Sequence, residues 1–183
     1  MADTAKNVPR ITAEEYFKLT ADREDRTELL DGEIVALAAP GTQHQRLVRE
    51  LSYAIHTFIR TNGGPCEVFT SPYDVVLDDN NVVQPDLLVV CDPSHIDDKR
   101  CNGTPDLIIE ILSSNRDNDL IHKQALYKAA GVREYWIVDI RDQKVWTYHF
   151  EQHPNVVEMF DWTDEIPVGI YGGKLSICIA DLV

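Results

Sequence analysis

Two apolar runs, residues 87–91 (Leu-Leu-Val-Val-Cys) and 107–112 (Leu-Ile-Ile-Glu-Ile-Leu), limit the folds open to this chain more than any other feature. Neither run alternates polar with apolar residues, so a strand built from either buries both faces and belongs inside a sheet covered on both sides. The covering helices are legible too. Leu47, Leu51, Ala54 and Phe58 recur at helical spacing, widened by Val48, Ile55 and Ile59. They predict a helix from about Thr42 to the stop signal Asn62-Gly63-Gly64-Pro65. A second helix is predicted over 117–130, ended by Gly131 at its C-cap. A short one over 11–19 carries a capping box, Thr12 with Glu15 three residues on.

The remaining segments read as strands. Residues 27–35 form two strands joined at Asp31-Gly32, a pair that tolerates the positive φ of a tight hairpin. Strands over 67–71 and 73–77 flank Pro72, and 78–81 is a polar turn. One strand is predicted over 82–91, a polar loop over 92–104, and a strand over 106–112. A strand pair follows at 134–140 and 144–150, then short strands in 156–183 interrupted by Pro167 and Gly172-Gly173. This order predicts an α/β fold: a mixed sheet flanked by helices, with an N-terminal helix and hairpin and extra C-terminal strands. A length of 183 residues suits a single domain spanning 1–183.

Composition removes several classes of function. No apolar run approaches the ~20 residues of a membrane span, and the polar start, residues 1–10, is unlike a signal peptide. A cytoplasmic protein with no membrane partner is expected. Cys66, Cys91, Cys101 and Cys178 show neither CxxC nor zinc-finger spacing, so free, mostly buried thiols are expected. The balance of 17 basic to 31 acidic residues, a net charge of −14, disfavours general affinity for nucleic acid.

Glu110 is the most informative residue, because it lies mid-strand among apolar neighbours. A buried ionised carboxylate costs several kcal/mol unless it is paired or binds a metal; a structural pair with Arg or Lys is the plainer explanation. Asp86 follows Pro85 at the start of the other apolar run, and it converges with Glu110 if the two strands are neighbours. At ~100° per residue, Lys123 falls within the arc of Leu120, Leu126, Tyr127 and Ala130. It therefore points toward the sheet, unless its ammonium snorkels out along its own stem. Two carboxylates with one lysine would hold Mg²⁺ or Mn²⁺ and stabilise charge on a phosphoryl oxygen. His44, one turn before Leu47 and Val48, is either a hydrogen-bonded core histidine or a phosphate contact. Asp106 also follows a proline, but four residues along the strand from Glu110 is roughly 13 Å, too far to share a metal.

Gln84-Pro85-Asp86, Glu110-Ile111-Leu112 and Lys123 together resemble the PD-(D/E)xK (restriction-endonuclease-like) nuclease superfamily. More closely, the chain resembles the Uma-type family of bacterial endonucleases. That resemblance runs through Glu28-Leu29-Leu30-Asp31-Gly32-Glu33-Ile34, His44, residues 105–113, Leu126-Tyr127 and Gly131-Val132-Arg133-Glu134-Tyr135-Trp136-Ile137-Val138-Asp139. It implies a restriction-endonuclease-like core, with Asp86 and Glu110 as metal ligands and Lys123 as the catalytic lysine. The usual lysine position, two residues after Glu110, holds Leu112, so the lysine has migrated to the helix. Ser113-Ser114-Asn115 replaces a turn that commonly carries proline. The resemblance also adds Glu28 as a possible further acid, against a solvated residue near a hairpin.

The expected function is a Mg²⁺-dependent (or Mn²⁺-dependent) DNA endonuclease, working as a homodimer by analogy with its fold class. Arg46, Arg49, Lys99, Arg100, Lys128 and Arg133 are its candidate phosphate contacts. A non-catalytic protein-interaction module that retains the fold suits the acidic charge better, but gives no reason to keep three buried charges. Hydrolysis of a small phosphate ester is a third reading, and no glycine-rich phosphate loop supports it.

Overall fold

The computed structural model describes residues 10–112 and 117–183. The predicted turn at 113–115, the side chain of Leu120 and the polar residues 1–9 lie outside the described parts. In chain order the elements are α1 (Ala13–Thr20), β1 (Thr27–Leu30), β2 (Glu33–Ala36), α2 (Thr42–Asn62), β3 (Glu67–Thr70), β4 (Val75–Asp78), β5 (Asn81–Val83), β6 (Leu87–Val90), β7 (Cys101–Asn102), β8 (Leu107–Leu112), α3 (Asp117–Ala130), β9 (Glu134–Asp139), β10 (Lys144–His149), β11 (Val157–Asp161), β12 (Ile166–Pro167) and β13 (Ser176–Ile177).

The described strands form a six-stranded sheet ordered β11-β10-β9-β8-β6-β3, a five-stranded sheet ordered β2-β1-β5-β4-β7, and the small pair β12-β13. The larger sheet is mixed. β8 and β9 run parallel and are joined through α3, whereas β6 pairs antiparallel with β8. The two apolar runs thus lie side by side, as their lack of alternation requires. Leu87, Val89, Leu107, Ile109 and Ile111 pack in one core with Leu47, Val48, Leu51 and Ile55 of α2. Leu88, Val90 and Ile108, one residue out of step, pack in the other with Tyr127 of α3 and with Tyr135 and Ile137. Side chains alternate along a strand, so each helix covers one face of the same two strands.

The capping box of α1 is present, with Thr12 accepting from the Glu15 backbone and Glu15 reaching back to Thr12. The first hairpin turns at Asp31 (φ 50°) and Gly32 (φ 79°). Gly32 has a second reason to lack a side chain: a Cβ there would come within 2.6 Å of Arg10. α3 ends as expected, with Gly131 at φ 89° and Val132 N donating to Tyr127 O at 3.0 Å.

Three expectations change. The strand predicted over 82–91 is two strands: β5 belongs to the five-stranded sheet and β6 to the six-stranded one. Pro85 has no N–H to offer a ladder, and there the chain crosses from one sheet to the other. The loop predicted over 92–104 contains a 3₁₀ turn, Pro93–His95, and β7, which pairs parallel with β4.

The cysteines also differ from expectation, since Cys66 and Cys91 form a disulfide while Cys101 and Cys178 are free. Register explains the pairing. β3 and β6 are antiparallel with Glu67 opposite Val90, so one step outward sets Cys66 against Cys91. Thiol titration of the denatured protein, purified without reductant, should find two reactive cysteines, rising to all four after reduction. Four before reduction would show the bridge absent.

Candidate active site

Every residue of β1 is buried, and Glu28 is fully so. Its Oε1 accepts from the backbone N of Gln84 at 2.8 Å and from Lys123 Nζ at 2.9 Å. Its Oε2 is buried with no hydrogen-bond partner among the described residues. Asp86 sits just past the sheet crossing. Leu87 faces Ile109 in the β6–β8 register, and one further step sets Asp86 opposite Glu110. Oδ2 of Asp86 accepts from Ile111 N at 2.8 Å and is 2.9 Å from His44 Nε2, near the start of α2.

Glu110 shares the strand face of Ile108, toward α3. Lys123 answers it from that helix, 2% exposed, with Nζ 3.0 Å from Glu110 Oε1. Tyr127, one turn further on, donates its hydroxyl to the same oxygen at 2.8 Å. Lys123 therefore points inward and does not snorkel. Glu28 is a buried partner of that lysine, not a solvated hairpin residue. His44 is hydrogen-bonded and buried as a core histidine would be, but its partner is Asp86.

The cluster sets two carboxylates, Glu28 and Glu110, on one ammonium, with Asp86 close to Glu110. Burial raises the Glu110 carboxyl above the ordinary glutamate range, against the pull of Lys123, and the negative charges of Asp86 and Glu28 push it further up. Burial by itself would drag Lys123 down, but Glu110 and Glu28 reverse this and hold it above the usual lysine value. It is therefore a fixed cation near neutral pH. Tyr127 is raised by burial and by Glu110, so its hydroxyl stays protonated and donates.

Among the described residues, no three His, Cys, Asp or Glu side chains close into a ready metal cage. That does not disqualify Mg²⁺, which is ordinarily held by one or two carboxylates while waters and phosphate oxygens complete its shell. The donors here are hard oxygens, the cluster has more acid than base, and Glu28 Oε2 is unpartnered. The donor set fits a hard dication at Asp86 and Glu110.

Asp106 has a structural position: it accepts from Cys91 N and pairs with Arg133 at 2.9 Å. Most of the basic residues expected to meet phosphate are engaged elsewhere. Arg49 pairs with Glu50, Arg133 with Asp106 and Glu151, Lys128 bonds Asn155, and Arg100 lies 3.3 Å over the Phe17 ring. Sequence reasoning missed the polar role of Tyr127, although its i+4 spacing from Lys123 carried the signal. It also missed the part played by Gln84, which ties Glu28, Asp74 and Arg26 together.

Within the motif 134–139, Glu134 accepts from Trp136 Nε1 and from the backbone of Gly169 and Ile170, anchoring the C-terminal segment. Asp139 caps the turn at Arg141 and Asp142.

The architecture is similar to that of the crystal structure titled a putative nuclease belonging to DUF820 from Anabaena variabilis ATCC 29413. The TM-score is 0.76 and the identity 24%, over 94% of this chain and 97% of that one. In sequence the chain is 26% identical over 144 residues to uncharacterized protein slr1290 of Synechocystis sp. (strain ATCC 27184 / PCC 6803 / Kazusa), covering 77% of this chain and 75% of that protein. It is also 26% identical over 141 residues to uncharacterized protein sll1609 of the same organism, covering 70% and 75%. Residues 13–170 match the family model whose description is "Uma2: Putative restriction endonuclease". With that match spanning most of its length, the chain belongs to the Uma2 family.

Proposed function

We propose that this protein is a metal-dependent DNA endonuclease that hydrolyses phosphodiester bonds at the Asp86–Glu110–Lys123 cluster, with Glu28 in support. The observation that carries this reading is the buried ammonium of Lys123 shared by Glu110 and Glu28, with Asp86 opposite Glu110 on the neighbouring strand. Replacing buried ion pairs by apolar packing is often neutral or stabilising, so stability gives little reason to build such a group.

Asp86 and Glu110 would hold Mg²⁺ or Mn²⁺, which lowers the pKa of a bound water and neutralises charge on a phosphoryl oxygen. The protein's own groups set the stage. Ile111 N and His44 fix one oxygen of Asp86, leaving Oδ1 without a partner among the described residues. Lys123 is too firmly charged to serve as a base, so its part is electrostatic, stabilising negative charge as it develops on the phosphorus oxygens. Tyr127 and Lys123 both bond Glu110 Oε1 and fix that carboxylate's orientation. Glu28 is the lysine's second carboxylate partner. Action as a homodimer, one strand cut per subunit, belongs to this proposal by analogy with the fold class.

Plasmid DNA supplies the test. The purified protein should nick or linearise it with Mg²⁺ or Mn²⁺ and leave it intact in EDTA. No cleavage with either ion across a range of DNA sequences would remove the proposal. A non-catalytic interaction module would then be the better account.

A further inference from the structure

Asp86 lines a small cleft together with Arg26, Leu37, Pro40, His44 and Gln84, its interior no roomier than about one water molecule. Arg26 lies two residues before Glu28 on the same extended segment, its carbonyl still accepting from Leu37 N. It is partly buried, and its contacts are neutral: Nε donates to Gln84 Oε1 at 3.1 Å and Nη2 to Ser71 Oγ. Among the described residues no carboxylate pairs with it, in a chain with 31 acids. Nη1 has no partner there either. A guanidinium held by two neutral groups, with no ion-pair partner among the described residues although Asp86 lines the same cleft, suits an anion brought to it. Its planar fork matches phosphate geometry.

The start of α2 agrees. Residues 38–44 lead into α2, a helix of 21 residues whose N-cap is Gly41, with no side-chain cap and no acid in its first turn. Its leading N–H groups and dipole favour negative charge. His44, which lines the same cleft, is 5% exposed, and its Nδ1 has no partner among the described residues.

We infer that the mouth of this cleft seats a phosphate of the nucleic-acid backbone, with Arg26 as the clamp that draws the DNA strand against Asp86. The inference rests on the endonuclease reading above and supplies what the net charge of −14 withholds, a local attraction for DNA. Arg26 touches the substrate phosphate and binds it.

The test compares cleavage kinetics of a DNA duplex by wild type, Arg26→Gln and Arg26→Lys with Mg²⁺ at several salt concentrations. Gln retains hydrogen-bonding capacity toward Gln84 and Ser71 while removing the charge. Arg26→Gln should raise KM by on the order of 10-fold or more with a much smaller change in kcat, and should flatten the salt dependence by about one charge. Arg26→Lys should recover most of the KM, and thermal midpoints should stay within a few degrees of wild type. An unchanged KM in an active Arg26→Gln variant would overturn the clamp and leave the nuclease standing. So would equal loss in both variants accompanied by equal destabilisation, the mark of a merely structural arginine. A wild-type protein that cuts no DNA would overturn both readings together.

Discussion

Lys123→Met should lower the thermal midpoint by roughly 10 °C at neutral pH. The substitution preserves the length of the stem but leaves Glu28 and Glu110 buried without their shared cation. Removing one partner of a buried ion pair costs about 3–5 kcal/mol, and in a chain of this size each kcal/mol is worth about 2–4 °C.

The loss should depend on pH in a known direction. Glu110 already has a folded-state pKa above the ordinary value, and losing the lysine raises it further. A group with a raised folded pKa favours the folded state fully below its unfolded pKa, about 4.3 for glutamate. That contribution is lost as pH rises through the folded value. The deficit of the variant relative to wild type should therefore be greatest near pH 7–8 and shrink toward pH 4–5. Melting curves followed by circular dichroism across that range measure it. A deficit independent of pH would mean that packing, not charge, accounts for the loss.

Glu110→Gln should do the opposite, abolishing cleavage while sparing the fold. Glutamine keeps an oxygen for Lys123 and Tyr127, and Lys123 retains Glu28 as its counter-charge. The substitution also relieves a carboxylate that burial penalises, so stability should stay within about 1 kcal/mol of wild type. On the proposed mechanism catalysis depends on the charge. With one of the two carboxylates proposed to hold the metal gone, the site should forfeit several kcal/mol of transition-state stabilisation, on the order of a thousandfold in rate at 1.36 kcal/mol per tenfold. Parallel cleavage assays and thermal melts of the two proteins separate chemistry from folding. A Glu110→Gln protein that cuts at the wild-type rate would take Glu110 out of the reaction.

Much of this arrangement was legible in the residues. The unbroken apolar runs declared two interior strands, and a glutamate inside one of them had to meet a cation. The helical wheel placed Lys123 on the correct side. Other features were hidden for reasons that are physical. Pro85 lies inside the single strand that the pattern predicts over 82–91, yet it is the point where the chain leaves one sheet for another. A local pattern reports that a ladder is interrupted, not where the chain goes next. Tyr127 looked like core because it is core; its hydroxyl becomes informative only when Glu110 is 2.8 Å away. Arg26 gives no signal in a sequence with many charges, because what distinguishes it is the lack of an ion-pair partner among the described residues. The Cys66–Cys91 bridge depends on cross-strand register, which spacing alone does not reveal.

The crossing at Pro85 has a consequence for when the protein can act. Glu28 hangs from one sheet, Glu110 from the other, Asp86 from the bridge between them, and Lys123 from a helix made later in synthesis. Neither sheet alone owns a working set of groups. On the proposed mechanism a half-made or half-opened chain would be chemically harmless, and the power to cut would arrive only when both layers have docked.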